Sequence, residues 1–161
     1  IVRKSKVKVG SIELTEKEYE TIRAELKAAE KPFFLFHDDP DGLVSFLLLK
    51  KFCGKGGGMM VKAEPNVNER FTSQVKAASP DTLFVLDVAL MQQSFVDAVK
   101  SGPAGVKSIV WIDHHQPVKL SGVKYFNPRT HSIHNNPPAS YICYKAVSEE
   151  TEDYLWLASQ F

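Results

Sequence analysis

Acidic and histidine side chains are concentrated at three places in the sequence. The first is the segment HDDPD at 37–41, the second is Asp87 after the apolar run LFVL, and the third is the triplet DHH at 113–115. Carboxylates this close together repel one another and disfavour the interiors of helices and strands. Their crowding therefore indicates either a well-solvated turn or a bound cation. Carboxylate and imidazole groups together are suitable ligands for Mn²⁺ or Mg²⁺.

Each of the three places, taken alone, also has a simpler interpretation. Asp, Pro and Gly favour turns, so HDDPDG at 37–42 is compatible with a plain turn. Asp87 is compatible with an N-cap of the helix that follows it. His114 and His115 are compatible with one core and one surface histidine. The arrangement of the elements that carry these residues is needed to choose between the interpretations.

The chain alternates between short apolar runs and segments with helical patterning. Thr15 and Glu18 form a capping-box pattern at the start of the first predicted helix. Strands are predicted at 33–36, 59–64, 82–88, 108–113 and 123–127. Helices are predicted at 15–30, 42–52, 67–78, 90–100, 138–147 and 152–159. The helix at 42–52 is apolar on nearly all sides, which predicts that it is buried.

This alternation predicts the class of fold. Strands that alternate with helices imply right-handed crossovers and a parallel sheet covered on both faces. We therefore predict an α/β domain of three layers with a mostly parallel five-stranded sheet. The basic segment at 1–9, with valines between lysines, suits an edge strand or a frayed arm.

The predicted fold brings the three polar places together. Each follows the carboxyl end of a predicted strand, and these ends lie on one edge of a parallel sheet, where ligands bind in open α/β folds. Three unrelated polar segments at one edge would be a coincidence, so a shared pocket is the better interpretation. A pocket with four or more carboxylates suits two divalent cations.

Composition excludes some other classes of function. The formal net charge of +1 gives no overall attraction to nucleic acid or to a membrane, so an anion must be bound by local groups. No apolar run approaches the roughly 18 residues of a membrane span. Cys53 and Cys143 have no metal-ligand spacing, and they indicate reduced thiols in a cytoplasmic protein.

Three ordered motifs resemble the DHH phosphoesterase superfamily. They are H-x-D-x-D-G-x-x-S at 37–45, the strand that ends in Asp87, and the DHH triplet itself. YFNPRTH at 125–131 and PPASYICYKAV at 137–147 resemble the segments that follow this triplet in archaeal RecJ-like members. The resemblance implies a DHH catalytic domain at 32–161, preceded by a basic arm and a helix at 1–31.

The resemblance implies a metal site with two ions, Mn²⁺ or Mg²⁺. His37 and Asp41 would hold one ion, Asp39 and His114 would hold the other, and Asp87 would bridge them. Two cations held close together can lower the pKa of a water molecule and clamp the oxygens of a phosphoryl group.

Further roles follow from the same resemblance. Asp113 would orient His114, as metal-bound imidazoles usually require. His115 would face the substrate phosphate and act as a catalytic group, and Arg129 is the best candidate for a further substrate contact. Gly42 would allow the turn to pack closely against the start of the next helix.

The resemblance implies hydrolysis of phosphodiester bonds in single-stranded or short nucleic acid, as in RecJ-like exonucleases. A phosphodiesterase or phosphatase acting on small nucleotides is one alternative. The other is a scaffold of weak activity that binds replication or repair proteins. All the motif residues are present, which favours an enzyme over a scaffold.

Two features of the superfamily have no counterpart in this sequence. Members carry another metal-binding Asp after the helix that corresponds to DYLWLA at 153–158, but no Asp follows Asp153 here. The second domain, with its glycine-rich substrate-binding motif, is also missing. We therefore expect the catalytic domain to be incomplete at its C-terminal end.

Overall fold

The computed structural model describes residues 13–62 and 66–148. Its helices are α1 Glu16–Ala28, α2 Pro40–Cys53, α3 Thr72–Ala78, α4 Gln93–Lys100 and α5 Ala139–Val147. Its strands are β1 Pro32–His37, β2 Gly57–Val61, β3 Asn66–Val67, β4 Thr82–Leu86, β5 Leu90–Met91, β6 Ser108–Ile112 and β7 Lys124–Phe126. The predictions for the basic segment at 1–9, for the strand end at 63–64 and for the helix at 152–159 lie outside the described residues.

The main sheet has five strands in the order β2-β1-β4-β6-β7, and every neighbouring pair is parallel. Side chains alternate between its faces. Phe34, Phe84 and Val110 lie in a core with residues of α1, α2 and α5, and Leu35 and Val85 lie in a second core with residues of α3 and α4. The predicted three-layer α/β fold with a parallel sheet is therefore confirmed.

The sheet order places a change of direction beside β1. The chain crosses from β1 to β2 on one side and reaches β4 on the other side. A crevice forms at such a point because the two crossovers cover opposite faces of the sheet. None of the helices in the two described stretches is long and apolar enough to cross a membrane.

A second, two-stranded sheet was not predicted. Leu90 and Met91 form β5, which pairs in parallel with β3, so the helix predicted at 90–100 begins only at Gln93. The Gln92 N–H donates to the Val67 carbonyl at 2.9 Å, and this bond closes the pairing. The apolar periodicity of the sequence could not reveal this strand pairing, because β3 lies more than twenty residues before β5 in the chain.

The prediction that α2 is buried on nearly all sides is wrong. Val44, Leu48 and Leu49 are buried, but Leu43 and Leu47 are each 43% exposed. Because α2 packs against β1 on one side and against α5 on another, the side that carries these two leucines faces solvent.

Asp81 joins three elements at the amino end of the sheet. Its carboxylate accepts hydrogen bonds from the N–H groups of Glu30 at 2.8 Å and Lys31 at 2.9 Å, just before β1. Its carbonyl accepts from the Lys107 N–H at 2.9 Å, just before β6. Partial burial works to raise the pKa of Asp81, but these backbone donors hold it below its usual value.

We expect Asp81→Asn to lower the free energy of unfolding at neutral pH by about 1 kcal/mol. One of the two N–H groups would keep only a neutral acceptor, and the other would face an NH₂ group that cannot accept. Since the pKa is lower in the folded state, the stabilisation is present above the unfolded value and disappears as the pH falls through the folded one. Urea unfolding should therefore show that the free energies of unfolding of the two proteins converge between about pH 5 and pH 2. Glu20→Gln, an exposed change on α1, is the control. A constant difference across this range would contradict the prediction.

Candidate metal centre

The turn after β1 is folded tightly onto the end of that strand. Asp39 is the N-cap of α2, and its Oδ1 accepts a hydrogen bond from the Gly42 N–H at 2.8 Å. A Cβ at Gly42 would lie 2.3 Å from the His37 carbonyl oxygen, so only glycine fits there, in agreement with its predicted role. The Ser45 hydroxyl donates to the Asp41 carbonyl at 2.8 Å and supports the turn from within α2.

Asp41 connects this turn to α5. Its Oδ2 and Oδ1 accept hydrogen bonds from the N–H groups of Ala139 and Ser140, each at 2.8 Å. These amides begin α5, where the positive end of the helix dipole favours a carboxylate. Oδ2 also lies 3.6 Å from His114 Nε2, so Asp41 remains at the margin of the site. A carboxylate oxygen has two lone pairs and can accept from an amide while facing a cation.

Asp87 lies at the centre of the site, and its environment is unfavourable in two ways. Its φ of 54° is in the left-handed region, which non-glycine residues rarely adopt. Its side chain is 1% exposed, and neither carboxylate oxygen has a hydrogen-bond partner. Burial, assisted by the nearby charges of Asp41 and Asp39, raises the pKa of Asp87 to about 6. A strained, buried and unsatisfied carboxylate indicates a ligand position.

His37 and Asp39 lie on one side of Asp87. His37 Nδ1 is 3.0 Å from Asp39 Oδ2 and 3.6 Å from Asp87 Oδ2, and this nitrogen is also buried without a hydrogen-bond partner. Burial works to raise the pKa of Asp39, but the Gly42 N–H and the neighbouring imidazole hold it below its usual value. The structure thus groups His37 with Asp39 and Asp87. The family resemblance pairs His37 with Asp41 around one ion, and that pairing stays a prediction.

His114 lies on the other side of Asp87. Its Nε2 is 3.3 Å from Asp87 Oδ1, and its Nδ1 is 3.1 Å from Asn136 Oδ1. An amide oxygen can only accept, so it assigns the proton of the neutral imidazole to Nδ1 and leaves the Nε2 lone pair facing the carboxylates. Burial works to lower the pKa of His114, but Asp87 and Asp41 hold it above its usual value.

Asp113 contacts His115 and not His114, which differs from the role implied by the family resemblance. Its Oδ2 accepts from the His115 N–H at 3.0 Å, and its Oδ1 is 2.7 Å from His115 Nδ1. An Asp side chain commonly bonds to the amide two residues ahead. The contact between Asp113 Oδ1 and His115 Nδ1 raises the pKa of His115, whose side chain is 38% exposed.

The site contains two groups of ligand atoms that share one residue. His37, Asp39 and Asp87 form one group, and Asp87 forms the other with His114 and His115. Within each group the ligand atoms lie within 4.8 Å of one another. The oxygen and imidazole donors suit Mn²⁺ or Mg²⁺. The unpartnered atoms of Asp87 and His37 show that the residues present fit a cation.

Two asparagines in the site were not predicted from the sequence. Asn136 contacts His114 as described above. Asn127 is fully buried, and its Nδ2 donates to the His115 carbonyl at 3.0 Å and to the Tyr125 hydroxyl at 2.7 Å. Asn127 Oδ1 accepts from the Arg129 N–H at 2.9 Å. Asn-Pro, a common turn signal, marks the position of Asn127 but not its partners.

Arg129 lies in a 3₁₀ turn at Pro128–Thr130, outside the two ligand groups. Its Nε is buried without a hydrogen-bond partner. Asn127 connects this predicted substrate contact to the site, because its side chain accepts from the Arg129 N–H and donates to the His115 carbonyl.

Solved structures of similar fold include two RecJ proteins and one DHH domain. RecJ of Thermus thermophilus, solved with Mn²⁺, matches over 91% of this chain with 17% identity and a TM-score of 0.68. An exonuclease RecJ bound to manganese matches over 89% with 14% identity and a TM-score of 0.66. The DHH domain of a protein from a family of ribosomal proteins matches over 91% with 16% identity and a TM-score of 0.66.

These similarities show that the chain has the fold of DHH domains, as the resemblance of its motifs predicted. The chain spans 24%, 39% and 44% of the lengths of these three proteins, respectively. No protein-family profile matches the sequence, and no curated protein matches it.

We expect Asp87→Asn to stabilise the metal-free protein and to remove its response to manganese. Asn tolerates the left-handed backbone, so the change removes a buried charge without adding strain. It should raise the free energy of unfolding in EDTA by about 1–3 kcal/mol. Thermal melts should show that Mn²⁺ raises the Tm of the unsubstituted protein and leaves that of the variant unchanged.

The control is Asp97→Asn, the same chemical change at an exposed position of α4. It should keep the response to Mn²⁺. Equal stabilisation of the Asp87 and Asp97 variants by Mn²⁺ would contradict a ligand role for Asp87.

Replacing Asn136 by Ala should weaken Mn²⁺ binding about tenfold, because His114 loses the group that fixes its tautomer and ring orientation. Asn136 is exposed, so the fold should tolerate the change. A Mn²⁺ titration followed by calorimetry measures the effect, with His134→Ala in the same exposed loop as the control. Unchanged affinity in the Asn136 variant would contradict the positioning role.

Proposed function

We propose that this chain carries the catalytic domain of a metal-dependent phosphoesterase that hydrolyses phosphodiester bonds in single-stranded or short nucleic acid. The observation that carries the proposal is Asp87, a buried carboxylate with no hydrogen-bond partner that belongs to both groups of candidate ligands. The fold of DHH domains supports the same reaction class, since the similar RecJ structures contain manganese.

The metal would be held by His37, Asp39 and Asp87 on one side and by Asp87 and His114 on the other, with Asp41 at the margin. Divalent cations at such a site polarise phosphoryl oxygens and lower the pKa of water. The proposal includes two ions, with Asp87 as a ligand to both.

His115 supplies the proton chemistry in this proposal. Asp113 engages Nδ1, so Nε2 is the ring nitrogen that remains for a substrate. Because the pKa of His115 is raised, the imidazolium form persists to a higher pH than for an ordinary histidine. An imidazolium can stabilise charge on a phosphate or give its proton to the leaving oxygen.

The charge of the chain favours a short substrate or the end of a strand. The net charge is +1, whereas proteins that bind long duplexes usually present an extended basic surface. The same observation favours a second candidate function, hydrolysis of small nucleotides such as cyclic dinucleotides or adenosine bisphosphate.

An inactive scaffold explains the site less well. Several carboxylates near one another, one of them buried, destabilise a protein unless a cation or a proton neutralises them. A scaffold gains nothing from keeping this arrangement together with His37, His114 and His115. In the proposed division of the chain, the catalytic domain lies at 32–161 and follows the arm and helix at 1–31.

The test is hydrolysis in the presence of Mn²⁺ of a labelled single-stranded oligonucleotide, a cyclic dinucleotide and adenosine 3′,5′-bisphosphate. We expect the oligonucleotide to be cleaved, and we expect EDTA or His114→Ala to reduce the rate to background. Asp97→Asn, an exposed change on α4, is the control that should retain the rate. If the unsubstituted chain and the His114 variant both hydrolyse all three substrates only at the background rate, the result would instead support a scaffold function.

A further inference from the structure

An open cavity of about 620 Å³ lies next to the candidate metal centre. It is lined by residues 117–120, which follow the DHH triplet in the loop between β6 and β7, and by residues of the 3₁₀ turn at Pro128–Thr130. Tyr125 lines the cavity, and its hydroxyl is 3.5 Å from Asp113 Oδ2, on the carboxylate that holds His115. The volume falls in the range of small-molecule sites, roughly 300–1,000 Å³.

One wall of the cavity is aromatic and held in place. The Tyr125 ring stacks on Trp111 with 4.2 Å between the ring centroids and 27° between the planes. Asn127 Nδ2 donates to its hydroxyl at 2.7 Å. Val118 and Leu120 also line the cavity. A fixed aromatic ring beside aliphatic side chains suits a flat, weakly polar ligand group such as a nucleobase.

The cavity also contains two cationic side chains, Lys119 and Arg129. Within residues 13–62 and 66–148, neither forms an ion pair with a carboxylate. Arg129 Nε is buried without a hydrogen-bond partner, and the Arg129 backbone is fixed by Asn127. A guanidinium with an unused donor suits an anionic oxygen, and a phosphate matches its geometry well.

We infer that this cavity binds one nucleoside phosphate unit of the substrate, with the base against Tyr125, Val118 and Leu120 and a phosphate on Arg129 and Lys119. The inference rests on the proposed function, because the candidate metal centre would then act on the adjoining phosphodiester. The inference adds a binding site outside the two groups of candidate ligands. In this site the protein recognises the base of the substrate as well as its phosphate.

The first test measures binding without metal, so that catalysis does not enter. The 161-residue chain in EDTA is titrated with adenosine 5′-monophosphate, ribose 5-phosphate and inorganic phosphate, followed by NMR. We expect the nucleotide to bind at least about tenfold more tightly than ribose 5-phosphate, because only the nucleotide has a base to stack. Equal affinities for the three probes would overturn the inference.

Two variants examine the two parts of the cavity separately. Leu120→Ser should weaken nucleotide binding about tenfold and leave ribose 5-phosphate binding unchanged, because it alters only the apolar wall. Arg129→Gln should weaken both about tenfold. The matched control is Lys107→Gln, which removes one positive charge from a separate cavity between β6 and β7. An equal loss in the Lys107 variant would overturn the inference, since binding would then reflect overall charge.

A second assay separates this inference from the proposed function. Bis(p-nitrophenyl) phosphate has a phosphodiester but no nucleoside, so its Mn²⁺-dependent hydrolysis tests the proposed function without a base. If the reporter is hydrolysed while the nucleotide binds no better than phosphate, the inference fails and the proposed function stands. If the nucleotide binds as expected but no phosphodiester is hydrolysed, the inference about the cavity stands and the proposed function fails.

Discussion

The whole site depends on how four carboxylates are kept at one edge of a sheet. Asp39 and Asp41 are each stabilised by the first amides of a helix, α2 for Asp39 and α5 for Asp41. Helix N-termini attract negative charge through their free N–H groups and the aligned peptide dipoles. Two helices that converge on one turn thus offset part of the repulsion between the carboxylates. The fold can thereby hold an acidic cluster before any cation is bound.

The two buried aspartates at the ends of β4 and β6 show what distinguishes a structural carboxylate from a candidate ligand. Asp113 is fully buried but accepts hydrogen bonds from the His115 amide and from Asn127. Asp87 is equally buried, has a left-handed backbone, and has no hydrogen-bond partner for either oxygen. Burial alone therefore does not identify a candidate ligand. Asp87 is identified by its lack of hydrogen-bond partners together with its strained backbone.

The sequence predicted the fold and the grouping of the candidate ligands at one edge of the sheet, because both depend on local patterns. Buried strands are continuous apolar runs, and the polar residues that end them must share an edge if the strands are parallel. The contacts within the site depend on chain segments that meet only in the folded state. Neither the bonds from α5 to Asp41 nor the contact of Asn136 with His114 leaves a pattern in either segment. The local bond from Asp113 to the His115 amide was also missed, because either histidine is within reach of that carboxylate.

The link between Asp41 and α5 also has a consequence for how the protein folds. The hydrogen bonds to Ala139 and Ser140 span 98 and 99 residues of the sequence. Contacts between such distant positions form late, because the entropy of closing a long loop must be overcome first. A growing chain that has produced only β1 and α2 therefore holds its acidic turn without the amides of α5. The native arrangement of the acidic turn would then appear only near the end of folding, after the central strands have joined the sheet.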